Sequence, residues 1–215
     1  MSAYTPVGAH VHVRVVDPQA VTRGGIVIPD TAKKRPLEAV VLKVGPGWRD
    51  ENGKLHPIDL KPGERVMFGK FGAVELETDK DLVLHNDHIL AVIGLDGESI
   101  RAHQDNVILR LAPAPSLSSV IVMTDRKAKH RKAKVLVSGS GYVTRNGAFV
   151  ENTVREGQEV VVDALCGQNY DLDFTLPRAN KGAEFQELFG QEGDYRIVRQ
   201  DEVLAVVERE DEGAN

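Results

Sequence analysis

GGIVIPDTAKKRPLEAVVLKVGPGWRDENGKLHPIDLKPGERVMFGK, Gly24 to Lys70, lies without a gap over SSVIVMTDRKAKHRKAKVLVSGSGYVTRNGAFVENTVREGQEVVVDA, Ser118 to Ala164, when the chain is slid against itself by 94 positions. Ten of the 47 pairs are identical, against about three for random pairing at average composition. The kinds of residue matter more than their number. Gly45 and Gly47 meet Gly139 and Gly141, Asn52-Gly53 meets Asn146-Gly147, and Gly63 meets Gly157. Glycine and Asn-Gly stand where a backbone needs positive φ, so the shared residues specify turns. Apolar positions coincide as well, among them Ile26/Val120, Val27/Ile121, Ile28/Val122, Leu42/Leu136 and Phe68/Val162.

The match extends outward once two length changes are allowed. AHVHVRV (Ala9 to Val15) pairs with DNVILRL (Asp105 to Leu111) at a shift of 96, and NDHILAVI (Asn86 to Ile93) with QDEVLAVV (Gln200 to Val207) at a shift of 114. The second repeat therefore carries 20 more residues between Ala164 and Gln200. They are expected around 175–192, where Ala183 to Phe189 has the look of a short helical turn. A chain of 215 residues holds two small domains comfortably, and the expected division is 1–95 and 96–215, with GLDGESIRAHQ (Gly94 to Gln104) as linker.

Each repeat reads as short strands punctuated by turns. Val11, Val13 and Val15 alternate with His12 and Arg14, the period of a half-buried strand. Ala39 to Val44 is a β-branched run stopped by Gly45-Pro46-Gly47, and Trp48 to Ile58 straddles the Asn-Gly hairpin signal. Further strands are expected at Arg65 to Phe68, Ala73 to Glu77, Leu82 to Leu84 and Ile89 to Ile93. No long amphipathic helix appears. Many short strands at this spacing predict an all-β chain of two tandem small β-barrels.

Pro18 to Pro36 is too long for a connection inside such a barrel, which is the mark of a functional or disordered segment. It carries Ile26-Val27-Ile28 between Gly24-Gly25 and Pro29-Asp30. One reading is a further edge strand. The other is a flexible apolar hook, entropically costly to order, whose three side chains would return about 1.5–3 kcal/mol each on full burial and which gains from acting several at a time.

These residues together resemble the GroES co-chaperonin family. The resemblance runs through GGIVIPDTAKKRPLEAVVLKVGPG, ENGK, PGERVMFGKFGAVEL and NDHILAVI in family order, covering Gly8 to Ile93. Repeat two looks like a divergent relative through its match to repeat one. The resemblance implies GroES-like barrels that assemble into a dome, as a homo-oligomeric ring or a mixed ring with single-domain subunits. The dome caps an ATP-bound GroEL-type chaperonin ring, closes the folding chamber and so serves unfolded client proteins indirectly. It also implies roles. Ile26, Val27 and Ile28 would dock in the chaperonin, with Gly24 and Gly25 as hinge and Pro29 after them. Glu51, Asn52 and Gly53 would lie in the roof hairpin, and Phe71 would face the chamber. Val120, Ile121 and Val122 would form a second loop, but Ser118-Ser119 replaces its glycine hinge and Met123 stands for Pro29. The alternative is a GroES-fold binding or assembly module without the lid role, such as a phage structural or adaptor protein.

RKAKHRKAK (Arg126 to Lys134) holds six Lys/Arg and no acid. It is expected to be a solvated, disordered charge run; the other readings are a contact with an acidic chaperonin rim and nucleic-acid binding. No aromatic is interleaved to stack bases, and a net charge of −5 also argues against nucleic acid.

Catalytic and metal readings find little support. Gly45-Pro46-Gly47 and Gly139-Ser140-Gly141 lack the third glycine and the following helix of a dinucleotide site. His10 with His12, and His85 with His88, are close in sequence but lack the clustered Cys/His set of a zinc site. Cys166, alone in the chain, is expected in a strand as a small apolar residue. No enzyme activity and no cofactor are expected. No apolar run approaches the ~18–20 residues of a membrane helix. The opening MSAYTPVGAH has no leader or transit character, and one cysteine forms no internal disulfide, so a reducing cytoplasm, bacterial or phage-infected, is the expected setting. The tandem form is also similar to the double-domain co-chaperonins of chloroplasts, so the chloroplast is the alternative setting for an already processed chain.

Overall fold

The computed structural model describes residues 4–16, 38–69, 72–77, 80–96, 99–112, 130–163, 166 and 194–208. Among them the strands are β1 (His10–Val15), β2 (Glu38–Val44), β3 (Trp48–Arg49), β4 (Leu55–His56), β5 (Arg65–Phe68), β6 (Ala73–Glu75), β7 (Asp81–His85), β8 (Ile89–Ile93), β9 (Ile100–Ala102), β10 (Asn106–Leu111), β11 (His130–Ser138), β12 (Gly141–Val143), β13 (Phe149–Glu151), β14 (Glu159–Asp163), β15 (Asp194–Arg199) and β16 (Val203–Val206). Two short 3-10 turns, Asn86–His88 and Gln200–Glu202, are the only helical pieces among the described residues.

The chain is all-β and tandem. One sheet has the order β6-β7-β1-β2-β5-β8-β9 and the other β15-β10-β11-β14-β16, with two-stranded ribbons β3-β4 and β12-β13 beside them. By internal contacts it divides into Met1–Ile100 with Val143–Phe149, and Arg101–Tyr142 with Val150–Asn215.

The repeat read from the sequence is carried by the backbone in detail. β1 pairs with β2 and breaks register between His12 and Val13; β10 pairs with β11 and breaks it between Ile108 and Leu109, the same place at a shift of 96. β5 on β8 slips between Met67 and Phe68, and β14 on β16 between Val161 and Val162. Such bulges bend a strand and set its twist, which a small closed-up sheet needs. Gly47, Gly53 and Gly63 have φ of 104°, 80° and 94°; Gly141, Gly147 and Gly157 have 113°, 87° and 82°. The shared glycines thus sit in the left-handed region that other residues enter at a cost.

Each sheet encloses its own core. Val11, Val13, Ala39, Val41, Leu60, Val66, Phe68, Leu84 and Ile89 pack together in the first. Val107, Leu109, Ala133, Val135, Val154, Val160, Val162 and Val198 do so in the second, with Val203 against them. Position by position, Leu60, Phe68 and Leu84 become valines, while Val13 and Val15 become Leu109 and Leu111.

Three expectations are corrected. Gly94 to Gln104 is not all linker: Gly94 N–H donates to Ser99 O (2.9 Å), and the returning chain forms β9 at the end of the first sheet. His130 to Lys134 is not a disordered charge run but the first half of β11, with His130, Lys132 and Lys134 exposed and Ala133 buried. Cys166 lies in a turn after β14, not in a strand, its N–H donating to Asp163 O. Ala183 to Phe189 and the rest of the stretch 175–192 lie outside the described residues.

Candidate functional site

β1 and β2 are antiparallel neighbours, with Val15 opposite Ala39. A tight hairpin would join them with two to five residues. Here the chain departs at Val16, whose N–H donates to Glu38 O (3.0 Å), and all of 17–37 lies between those two residues. In the second repeat Leu111 opposes Ala133 and Ala112 N–H donates to Lys132 O (2.8 Å). Arg131 adds a side-chain bond from Nη2 to Ala112 O (2.7 Å). The two closures are equivalent, at shifts of 96 and 94, so both long segments leave the same corner of the same strand pair. Gly24, Gly25, Ile26, Val27, Ile28 and Pro29 in one, and Val120, Ile121 and Val122 in the other, lie outside the described residues, as does Phe71.

Glu51, Asn52 and Gly53 are described and form the tip of the β3–β4 hairpin. Trp48 pairs with His56 and Arg49 with Leu55. Asp50 N–H donates to Lys54 O (3.0 Å), Gly53 N–H to Asp50 O (2.9 Å), and Gly53 takes positive φ, as the Asn-Gly signal predicts. Asp50 organises the turn. Its Oδ1 accepts from Asn52 N and Lys54 N, both at 2.9 Å, and its Oδ2 accepts from His56 Nε2 at 2.9 Å. The Asp50 side chain is only 2 % exposed. The His56 hydrogen bond is the largest reason its carboxyl titrates below the ordinary aspartate range; Lys54 and Asn52 donation adds to it and burial opposes it. Trp48 stacks on His56 with ring centroids 4.8 Å apart. Asp50 and His56 were not singled out from the sequence. The available signal was an aspartate two residues before Asn-Gly, the usual donor-collecting position of an Asx turn.

Residues 143–149, the tip of the second ribbon, group with the first unit. There Glu51 N–H donates to Arg145 O (3.0 Å) and Asn52 Nδ2 to Asn146 O (3.0 Å). A methyl group on Gly147 would fall 2.4 Å from Asp50 Oδ2, so the absence of a side chain there lets the two tips close on each other.

Of the two histidine pairs close in sequence, His85 and His88 come together, whereas His10 and His12 have different partners. His10 meets His85 across the β1–β7 ladder with ring centroids 5.2 Å apart, and His85 meets His88 at 6.4 Å. His12 is buried and meets Tyr4 edge-on. Among the described residues, no group of three or more His, Cys, Asp or Glu side chains is placed to hold a metal ion. Cys166 is buried in the second core and burial pushes its thiol up to about 11, far from a thiolate nucleophile. Among the described residues no helix is long and apolar enough to cross a membrane.

Comparison with known proteins agrees with the two-repeat reading. The family model Cpn10, the chaperonin 10 Kd subunit, matches residues 3–93 and again 99–207. "Co-chaperonin GroES" of Methylacidiphilum infernorum is 48 % identical over 90 residues, covering 41 % of this chain and 91 % of that protein. "Co-chaperonin GroES 1" and "Co-chaperonin GroES 2" of Rhodopseudomonas palustris are 45 % identical over 93 residues and 46 % over 92. Each covers 42 % of this chain, and 95 % and 88 % of the respective relative. Each of these relatives is therefore about one repeat long.

Proposed function

The chain belongs to the chaperonin 10 Kd subunit family over both of its repeats, and from that premise we propose that it is a co-chaperonin that caps an ATP-bound, GroEL-type chaperonin ring and closes its folding chamber. The observation that carries the reading is the pair of equivalent corners at Val16–Glu38 and Ala112–Lys132. A long segment leaves each, and the one in repeat one holds the glycine-flanked tripeptide. Gly24 and Gly25 act as hinge, and Ile26, Val27 and Ile28, followed by Pro29, bury against a chaperonin subunit. Val120, Ile121 and Val122 form the second, weaker contact. Glu51, Asn52 and Gly53 belong to the roof, and Phe71 faces the chamber. The named function of the relatives supports the partner. The protein has no chemistry of its own in this reading, and ATP turnover belongs to the chaperonin. It works where the chaperonin does, in the cytoplasm.

The physical logic is avidity. Three aliphatic side chains contribute at most a few kcal/mol each when buried, less the cost of ordering the segment that carries them. A single hook is weak, and several on one assembly bind together. The test is a coupled ATPase assay with a GroEL-type chaperonin. The protein should slow ATP turnover and co-migrate with the chaperonin only when nucleotide is present. An unchanged ATPase with no co-migration would remove the capping role and leave a family member with another task.

A further inference from the structure

His10 and His85 stand directly opposite each other on β1 and β7. The hydrogen bond beside them fixes the kind of pair. Asn86 N–H donates to Ala9 O (2.8 Å), one residue outside the pair on each strand. That makes His10–His85 a non-hydrogen-bonded pair, the kind whose Cα atoms are about 4.5 Å apart and whose side chains come nearest. The two rings meet at a centroid distance of 5.2 Å. Two imidazoles that hold one ion through Nε2 at about 2.0–2.1 Å, with a tetrahedral angle between them, have centroids about 5 Å apart. The strand register thus supplies the spacing of a two-histidine chelate.

The other nitrogen of each ring has an acceptor behind it. His10 Nδ1 lies 2.9 Å from Val7 O. A carbonyl only accepts, so Nδ1 carries the proton and the Nε2 lone pair is left for a ligand. His85 Nδ1 has Asp87 N at 3.3 Å and Asp87 Oδ2 at 3.4 Å. With an ion on Nε2 the proton sits on Nδ1, and the carboxylate accepts it. A backbone carbonyl and a carboxylate are the partners that metal-ligating histidines have behind them. The His85 side chain is 40 % exposed, so an ion reaches the pair from solvent. Other histidines are placed differently. His12 and His103 are buried, and His56 Nε2 is taken by Asp50. His88 is 6.4 Å from His85, with its ring over Gly72, where a Cβ would fall 2.4 Å from His88 Cγ. It stays outside the chelate, in keeping with the absence of a three-ligand group among the described residues.

The second repeat has the same corner without the ligands. Asn106 stands opposite Arg199, and Gln200 N–H donates to Asp105 O (2.9 Å). The backbone geometry is kept, but an amide and a fixed cation replace the two imidazoles. We propose that His10 and His85 form a site for one divalent transition-metal ion of the imidazole-preferring class, Zn2+ among them, with water completing the coordination. The bound ion clamps β1 to β7, and only the first repeat has the clamp. The inference goes beyond the capping role and is tested without a chaperonin.

Isothermal titration calorimetry of the whole chain with Zn2+ alone should give one ion per chain. His10→Asn and His85→Asn should each weaken binding by at least about tenfold, the usual cost of losing even an outer partner of a metal ligand. His88→Asn and His130→Asn should leave it unchanged. Zn2+ should raise the thermal midpoint of the wild type, since the paired rings exist only in the folded chain, and should not raise that of His85→Asn. If an asparagine variant unfolds, NMR of the wild type serves in its place. The imidazole C–H signals of His10 and His85 should move on addition of Zn2+, and those of His56 and His130 should stay. Zinc affinity that survives His10→Asn or His85→Asn overturns the proposal. So does affinity lost in His88→Asn, which would place the ion between His85 and His88, and so does movement of other histidine signals while those of His10 and His85 stay.

Discussion

At the tip of the first ribbon a buried carboxylate, Asp50, gathers Asn52 N–H, Lys54 N–H and His56 Nε2–H, with Trp48 stacked over the imidazole. At the same place in the second ribbon stands Thr144, whose hydroxyl donates to Ala148 O (2.9 Å), while Tyr142 and Val150 replace Trp48 and His56. The backbone is nearly identical, with Gly53 and Gly147 at φ of 80° and 87°. The cores trade volume in both directions, with Leu60, Phe68 and Leu84 corresponding to Val154, Val162 and Val198, and Val13 and Val15 to Leu109 and Leu111. Turn geometry and bulges are kept in both repeats, and what differs is the chemistry placed on them. The first repeat fixes its ribbon with a buried polar cluster around Asp50; the second carries a basic strand instead.

The largest difference expected between the repeats is in their long segments. Val27→Asp places a charge where the proposed hook is buried, a penalty of several kcal/mol per site and so a loss of at least about 100-fold in capture. Ile121→Asp should weaken capture modestly, and by more at low salt. The exposed Lys132 and Lys134 on β11 supply an electrostatic contribution that is screened beyond about 8–10 Å at physiological ionic strength. Co-sedimentation with chaperonin and nucleotide at two salt concentrations reads both. Equal losses with equal salt dependence would make the segments equivalent and break the comparison.

Next come the cores. Leu84→Ala should cost about 2–5 kcal/mol. Val198→Ala, its counterpart, removes fewer carbons, at about 0.8 kcal/mol each plus a smaller cavity. Both residues are fully buried, so burial does not explain a difference and volume does. Chemical denaturation of each variant measures it. A larger loss from Val198→Ala would mean that side-chain volume does not set the cost at this position and that the second core closes less readily around the gap.

Much of this could be read in the residues, and the failures have particular causes. Arg65–Phe68 and Ile89–Ile93 are strands over the expected residues, because turn residues bound each apolar run. β9 escaped notice because Ile100–Ala102 is too short to show alternation and is surrounded by linker-like Gly, Asp and Ser. His130–Lys134 escaped because Arg131, on the other face from Lys132, is also charged; its guanidinium serves Ala112 O, which sequence spacing does not reveal. The exposure of Leu204, where the equivalent Leu90 is buried, was out of reach in principle. VLAV reads like ILAV, and whether it is covered depends on a neighbouring strand and not on its own residues.

A pH comparison separates the ribbons more gently. Because Asp50 is held below the ordinary aspartate range when folded, its contribution is present above the unfolded-state value near 3.8 and is lost as pH falls through the lower folded value. Thr144 has nothing to titrate there. Trp48 is the chain's only tryptophan, so its fluorescence reports the first ribbon alone. The emission should change on acidification with a midpoint below that of ordinary aspartate, and Asp50→Asn should remove that midpoint. A midpoint that persists in Asp50→Asn would assign the transition to another carboxylate and detach Trp48 from the Asp50–His56 pair.

The smallest effect expected is at a turn where the repeats should behave alike. Gly63 precedes β5 and Gly157 precedes β14, with φ of 94° and 82°. Their N–H groups donate to Val41 O (2.8 Å) and Val135 O (2.9 Å), carbonyls related by the same shift of 94. Alanine at either position must hold a left-handed conformation, at about 1–2 kcal/mol. A methyl on Gly157 meets nothing within 4 Å, while one on Gly63 comes within 2.9 Å of Leu95 Cδ2. Leu95 is 67 % exposed, and the end of so free a side chain can swing away at little cost. Gly63→Ala and Gly157→Ala should therefore lose nearly the same stability by denaturant titration, because each pays for backbone strain alone. A markedly larger loss from Gly63→Ala would show that Leu95 is held in place by a contact that its exposure conceals, and the turn would then join the hairpin tip as a place where the first repeat is the more tightly specified.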